Sequence, residues 1–427
     1  MNYLVDTTPK DARNQGSINL GAEIVADMKN AKIVKWWETV DLSDLVGVDW
    51  IGFNVYYPTH LLNIYPFFKN NFIRRSNGIQ LAAGGQGLPE THILSELVDV
   101  EFYGELDFER NKDQILSNPV IDRFGGKAAI EISRGCQMNC KFCEYSHKHK
   151  HREKPIELVR SQIDWVDKQG IRDINFMSAN FAGYKDLGEL IDYAVSKNIR
   201  ILNCDSCPIF LPRLFPYLKF LPKYIKIGIE SFDENTRSRI GKPFADDFLE
   251  DILDRLLSEI NGVHLYLIYG LLGDNYDSWF RWLEKIAEKR KAYSTIQKDL
   301  FGGEYRLNDK NIRIEFSITN FEPCLGTPFE KMPMVDFDKK AKFIEKWAEA
   351  LIANGYRRGD KKIEYKNARG RFGRKELTYM LLMALKNGGP ELTQELKYTF
   401  PNGVGRSIKE EDAAKFLLYK EDNEILI

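Results

Sequence analysis

Short apolar segments alternate with amphipathic helical patterns along most of this chain, and that alternation constrains its fold more than any other feature. Six strand-like runs fall at 128–133, 174–178, 199–204, 224–230, 264–270 and 312–319, with helical periodicity between them. The clearest helix is 249–260, where Leu249, Ile252, Leu253, Leu256, Leu257 and Ile260 share one face. Strands separated by helices can pair in parallel, because each helix carries the chain back across the sheet. The expected class is therefore α/β. Six such units with short connections predict a partial (β/α)6 barrel of the TIM type, with its chemistry at the carboxyl ends of the strands.

The chain is 427 residues long, more than one domain usually holds. Ahead of the six units, strand-like runs at 33–37, 50–55, 79–83 and 100–103 predict a Rossmann-like parallel sheet. The glycines of AAGGQG (82–87) close one strand and permit a tight turn beneath a ligand. Residues 108–125 are polar and turn-rich and read as a linker. From 336 an amphipathic helix runs through Ile344, Trp347, Ala348, Leu351 and Ile352, with Asn354 and Gly355 as its stop. The expected division is 1–118 for the Rossmann-like domain, 119–335 for the barrel and 336–427 for a small, mostly helical C-terminal domain.

A formal net charge of −1 implies no global attraction to nucleic acid or membrane. Two local basic runs remain. SHKHKHREK (146–154) could grip a phosphate-bearing substrate, and 357–376 interleaves nine Lys/Arg with Gly, Tyr and Phe against three acids, as a nucleic-acid surface would. Each also reads as an ordinary solvated face. The first residues lack the basic start and apolar core of a signal peptide, and no apolar run reaches the roughly 18 residues of a membrane span. Six cysteines are too few for a disulfide framework, so a reducing cytoplasmic location is expected.

Three of those cysteines, Cys136, Cys140 and Cys143, lie in SRGCQMNCKFCEYSH (133–147), directly after the first barrel strand. Two metals suit them. Zinc would take a fourth ligand from His147, His149 or His151. A [4Fe–4S] cluster held by three thiolates would leave one iron free to chelate the amino and carboxylate groups of a small molecule.

The spacing Cx3Cx2C, with Phe142 before the third cysteine, resembles the radical S-adenosylmethionine (radical SAM) superfamily. That resemblance implies a [4Fe–4S] cluster on Cys136, Cys140 and Cys143, with SAM on the open iron and Phe142 near its adenine. KIGIESFDENT (226–236) resembles the fourth-strand motif, which would make Glu230 the ribose contact. LYLIYGLLGDN (265–275) resembles the fifth-strand segment whose turn, at Gly270, lies under the adenine. FMSANFAG (176–183) stands where relatives bind the SAM amino group, making Ser178 and Asn180 candidates; many relatives carry acidic residues there. NFEPCLGTPF (320–329) resembles the turn after the sixth strand. Cys324 within it is a candidate catalytic thiol, and Cys204 and Cys207 would join it in any auxiliary cluster.

The N-terminal region resembles the cobalamin-binding domain that precedes many radical SAM barrels, through GFNVYYPTHLL (52–62), AAGGQGLPE (82–90) and VDVEFYGELD (98–107). Asn54, Thr59, Gly84 and Gly85 would then lie nearest the corrin. The Asp-x-His-x-x-Gly motif of relatives with a cobalt-ligating histidine is absent, and a domain with the fold but without corrin is the competing reading. Related methylthiotransferases carry three cysteines in this domain; here there are none. The resemblance implies an electron donor such as flavodoxin or ferredoxin and a deoxyadenosyl radical that takes hydrogen from a substrate carbon. With cobalamin the expected outcome is C-methylation. Without it, rearrangement, cyclisation or modification of a nucleotide or nucleic acid is expected. The alternative class is a non-enzymatic zinc or nucleic-acid-binding protein.

Overall fold

The computed structural model describes residues 2–9, 26, 30–40, 45–71, 78–85, 87–103, 120–122, 126–294, 296–298, 304–306, 312–333, 335, 337–355, 381–382, 384–386, 388–393, 396 and 402–403. The basic stretch 357–376 and most of the expected linker fall outside them. The chain forms two compact units, one from residues 1–114, 122–124 and 370–427, the other from 115–121 and 125–369.

Unit 1 is built on a parallel sheet of β1 (Asn2–Asp6), β2 (Ala31–Lys35), β3 (Trp50–Asn54), β4 (Gln80–Gly85) and β5 (Val100–Tyr103), in the order β2-β1-β3-β4-β5. Val5, Ile51, Phe53, Leu81 and Ala83 are buried, and helix α1 (Ile64–Asn71) packs Phe67 and Phe68 onto Phe53. Strand β1 lies inside the sheet, between β2 and β3, yet the sequence expectation did not include it.

Unit 2 holds β6 (Val120–Asp122), β7 (Lys127–Glu131), the short antiparallel pair β8 (Ser133–Arg134) and β9 (Arg152–Glu153), then β10 (Asp173–Met177), β11 (Arg200–Ile201), β12 (Tyr224–Glu230) and β13 (Gly262–Tyr269). A second antiparallel pair, β14 (Ile296–Lys298) and β15 (Glu304–Arg306), precedes β16 (Arg313–Asn320). One sheet runs β11-β10-β7-β6 and another β12-β13-β16, with β7-β10-β11 and β12-β13-β16 parallel. A single bridge between Ser206 and Ile227 links the two sheets. The six expected strands are thus present in sequence order. The third is the shortest, because the chain leaves it for a prolonged 3-10 segment, Pro208–Phe220, that contains Pro208, Pro212 and Pro216.

In chain order the helices of this unit are α2 (Glu144–Lys148), α3 (Ile156–Lys168), α4 (Leu187–Ser196), α5 (Glu234–Arg239), α6 (Asp246–Glu259), α7 (Tyr276–Ser294) and α8 (Phe337–Ala353). One face of each barrel-type strand feeds the core: Ile130, Phe176, Ile227, Leu265 and Phe316 pack with the buried stripe of α6 and the tryptophans of α7 and α8. The opposite face is polar, carrying Asn175, Lys226, His264, Tyr266, Glu315 and Ser317.

The three-part division expected from the sequence differs at its C-terminal end. Helix α8 belongs to unit 2, where Trp347 and Phe343 stack against each other and on Trp279. Beyond it, Leu381, Ala384, Leu385, Leu392 and Leu396 are buried in the core of unit 1 with Leu88, Ile93 and Leu94. The chain returns to its first domain because that core is incomplete without these side chains. Among the described residues, no helix is long and apolar enough to cross a membrane.

Candidate active site

The cysteine loop is a closed excursion between β8 and β9. Gly135 opens it with φ of +72°, and any side chain there would run into the backbone of His149 and Lys150. The Tyr145 hydroxyl accepts the Gly135 N–H at 3.2 Å. Within the loop, Cys140 N donates to Met138 O at 3.0 Å and Cys143 N to Cys140 O at 3.0 Å, so the turns that set the cysteine spacing are locally bonded. Cys140 is buried, Cys136 and Cys143 are half-buried, and all three thiols are free. Met138 N lies 3.4 Å from Cys136 Sγ and donates to it.

Two segments hold this loop in place, the turn after α5 and the segment after β10. Lys141 N donates to Ile240 O at 2.9 Å, and Gly241 lies so close that a Cβ would stand 3.2 Å from Asn139 O. From the end of β10, the buried Asn180 reaches Gln137 at 3.5 Å and accepts Cys207 N at 3.2 Å. Asn180 therefore spends its amide on fastening the loop to the segment after β11. Ser178 bonds Ser133 at 2.6 Å and accepts Asn180 N at 3.1 Å, so it too ties adjacent strand ends together.

Glu230 closes β12 in a left-handed backbone conformation, φ +64°, beside a register shift at Gly228. A non-glycine residue rarely takes this conformation unless its surroundings impose it. Here Lys242 Nζ donates to Glu230 Oε1 at 2.7 Å and to Gly228 O at 2.7 Å, and both side chains are largely buried. Lys242 was not singled out from the sequence. It follows α5 by three residues, and nothing local marks it as the partner of a carboxylate twelve positions earlier.

Burial pushes the Cys140 thiol up to about 12, against an opposing pull from the Lys242 ammonium. Burial likewise raises the Cys136 thiol, with the Met138 N–H working the other way. For Lys242, burial works to lower the pKa. Glu230 and the thiols of Cys207 and Cys140 more than offset it, and the ammonium ends above its usual range. The buried Lys242 ammonium thus lies close enough to favour the thiolate of Cys140.

Of the other expected residues, Gly270 has φ of +96° and donates its N–H to Tyr276 OH at 3.0 Å, and a Cβ there would meet Val335 at 2.6 Å. Phe142 leans on the hydrophobic core of unit 2. Cys324 is buried in a turn, its Sγ 3.3 Å from Glu322 O and its carbonyl accepting Thr327 Oγ1 at 2.7 Å. Cys204 is fully within the core.

The three loop histidines are engaged away from the thiols. His147 Nε2 lies 3.1 Å from the Cys140 carbonyl, which can only accept, so that nitrogen carries the proton. His149 packs its ring on Tyr145 at 4.7 Å, and His151 lies 3.3 Å from Glu153. Among the described residues, no three His, Cys, Asp or Glu side chains are gathered closely enough to hold one metal ion. Each thiolate of an iron–sulfur cubane binds its own iron, so a cluster asks for a more open set than one zinc does. In the basic run, Lys148 pairs with Glu144 at 2.7 Å, and the buried Lys154 donates to Gln162 at 2.9 Å.

In unit 1 the strand order places a switch point between β1 and β3, where sheets of this type bind ligands. Thr7 Oγ1 donates to Asn54 O at 2.6 Å, and Asn63 donates to Thr7 O at 2.9 Å. The turn glycines serve the chain itself: side chains at Gly85 and Gly87 would collide with the backbone of Val55, Tyr56 and Tyr57. Gly84 is buried and accepts Val55 N through its carbonyl at 2.7 Å, while Thr59 is half-buried at the start of the following turn. His60 is 5% exposed, and its Nδ1 is buried without a partner. Burial holds its pKa down to about 4 against the opposing charge of Asp6.

The parallel strands run in sequence order, with a three-cysteine loop at the end of the first. Residues 130–286 match the family model described as the radical SAM superfamily, an enzyme superfamily that uses a [4Fe–4S] cluster and SAM. Among curated relatives, the tRNA-2-methylthio-N(6)-dimethylallyladenosine synthase of Psychrobacter cryohalolentis is 27% identical over 146 residues, covering 31% of this chain. The ribosomal protein uS12 methylthiotransferase of Trichlorobacter lovleyi is 24% identical over 208 residues, covering 44% of this chain. The chain spans 28% of the first protein's length and 45% of the second's. Among solved structures, the apo form of the cobalamin-dependent SAM radical enzyme OxsB aligns over 100% of this chain and 81% of its own, with TM-score 0.50 and 13% identity, a likeness of fold. The radical SAM methyltransferase TsrM of Kitasatospora setae aligns over 74% of this chain and 72% of its own, with TM-score 0.47 and 12% identity.

Proposed function

We propose that this chain is a radical SAM enzyme whose two strand sets curve into an open, partial (β/α)6 barrel with the polar face inside. The observation that carries the reading is the cysteine loop itself, fastened by Ile240 and Gly241 after α5 and by Asn180 after β10, with its three thiols free. Cys136, Cys140 and Cys143 would hold the cluster, which supplies one electron to cleave SAM into methionine and a deoxyadenosyl radical. Glu230, oriented by Lys242, would receive the ribose hydroxyls, since its second oxygen lies outside the ion pair. Gly270 would leave room for the adenine, and Phe142 would flank it. Ser178 is the remaining candidate for the SAM amino group, because Asn180 is committed to the loop and to Cys207.

For unit 1 we infer a cobalamin-type domain. The strand order, the switch point beside Asn54 and the orphaned buried Nδ1 of His60 fit a group bound at that edge. The absence of cysteine from residues 1–118 argues against methylthio transfer and for methyl transfer to carbon. Anaerobic purification tests both parts. Iron and sulfide near four per chain, with SAM-dependent 5′-deoxyadenosine under dithionite, are the expected result. Zinc in their place overturns the radical reading, and protein that cannot be loaded with any corrin overturns the cobalamin reading alone.

A further inference from the structure

We propose that the polar face of the barrel sheets takes its substrate as a zwitterion, with the ammonium and carboxylate of an α-amino-acid-type group bound between the segment after β11 and the middle of β12. This rests on the reading of unit 2 as a radical SAM enzyme whose substrate lies against that face. It goes further by naming the chemistry that is recognised.

Four side chains carry it. Asp205 and Lys226 meet at 3.3 Å, with side chains 43% and 41% exposed, beside the bridge that joins the two sheets. An ion pair this long and this wet adds little to the fold and opens readily to a ligand. Two residues before Asp205, Asn203 spends its Nδ2 on Phe176 O at 3.1 Å. That bond fixes the amide, and its Oδ1 is left buried with no donor. A buried acceptor without a partner is costly, and native structures seldom keep one that nothing fills. Tyr266 is half-buried on the next strand, close enough for its phenol to feel both Lys226 and Asp205. Its ring is fixed by stacking on His264 at 4.4 Å, and His264 is itself held by Ser317 at 2.7 Å and Glu315 at 3.4 Å. The face is open to solvent: Asn175 is exposed although its strand has a neighbour on each side.

The set divides into two acceptors, Asp205 and Asn203 Oδ1, and two donors, Lys226 and the Tyr266 hydroxyl. A phosphate would satisfy the donors and be repelled by Asp205. A diamine would do the reverse, and a neutral sugar or base could hydrogen-bond both groups but would bring neither a counter-charge. A zwitterion uses all four. The methionine end of SAM is also zwitterionic, so the test is run on SAM-loaded protein.

The full chain, with its cluster reconstituted and saturated with SAM, is titrated calorimetrically with each proteinogenic amino acid, then with the N-acetyl and methyl-ester forms of any that bind. Binding by at least one free amino acid is expected, lost on either modification. In Asp205→Asn and in Lys226→Met its Kd should rise on the order of tenfold to a hundredfold, the worth of one charge-assisted hydrogen bond. Melting of each variant close to wild type confirms that the loss is local. No binding by any amino acid, or binding unchanged in both variants, overturns the proposal. SAM cleavage without substrate is measured on the same wild-type preparation. If it proceeds while the amino acids fail, the zwitterion is wrong and the radical reading stands; if it fails, the radical reading falls first.

Discussion

At the scale of single residues, the site combines groups with separable jobs. Alanine at Cys136, Cys140 or Cys143 leaves two thiolates for the cluster, so each variant should lose iron and form no 5′-deoxyadenosine; wild-type turnover in any of them would remove that cysteine from the ligand set. Glu230 holds Lys242 and, on the proposed reading, SAM, and two substitutions separate the two roles. Glu230→Gln keeps an acceptor for Lys242 and should weaken SAM binding by about tenfold to a hundredfold with the cluster spectrum intact. Glu230→Ala strands a buried ammonium and should also destabilise unit 2 by about 3–5 kcal/mol in denaturant titration. His60 makes a different prediction, one about pH. Its folded pKa is held down to about 4 against 6.5 when free, so below 6.5 the unfolded chain binds the extra proton. The neutral imidazole's contribution is present above pH 6.5 and is lost as pH falls through 4, about 3 kcal/mol in all by the size of the shift. His60→Leu should flatten that acid limb of the stability profile of unit 1, and an unchanged limb would assign it to other groups.

At the scale of elements, the cysteine loop depends on one glycine at its entrance. Gly135→Ala would impose both a left-handed conformation and a collision with the backbone at His149 and Lys150. The expected result is a chain that folds but takes up far less iron, since the β8–β9 closure that frames the loop is displaced. Full iron loading in Gly135→Ala would show that the loop tolerates another entry path. The motifs of this element were legible in the sequence because they are local: Cx3Cx2C, its glycine and its aromatic lie within eight positions. The anchors were not. Ile240 and Gly241 reach the loop from the turn after α5 and Asn180 from the segment after β10, while Lys242 holds Glu230, and only their tertiary placement reveals them.

At the scale of the whole molecule, the chain leaves unit 1 and returns to it. Ending the chain after residue 369 should remove Leu381, Ala384, Leu385, Leu392 and Leu396 from that core. Each buried leucine among them contributes about 1.5–3 kcal/mol, so the loss is comparable to the whole stability of an ordinary domain. Limited proteolysis should then digest residues 1–110 while the fragment around 127–355 persists and still binds iron. A protease-resistant N-terminal fragment would show that unit 1 folds without its returning segment.

The sequence by itself determined the α/β class, the six parallel strands of unit 2 and the cysteine triad, because strand period, helix period and motif spacing are all written within a few residues of one another. Only the tertiary structure decided what fills the centre of unit 1. Strand β1 took its place inside the sheet without having been marked in the sequence, and Thr393 bonds the carbonyl of Ile93 across 300 positions of sequence. The tertiary structure also gave the turn glycines Gly85 and Gly87 a reason other than a ligand, the approach of a neighbouring backbone. Such contacts follow from which surfaces are left uncovered once the sheets have formed. No local pattern of residues records that.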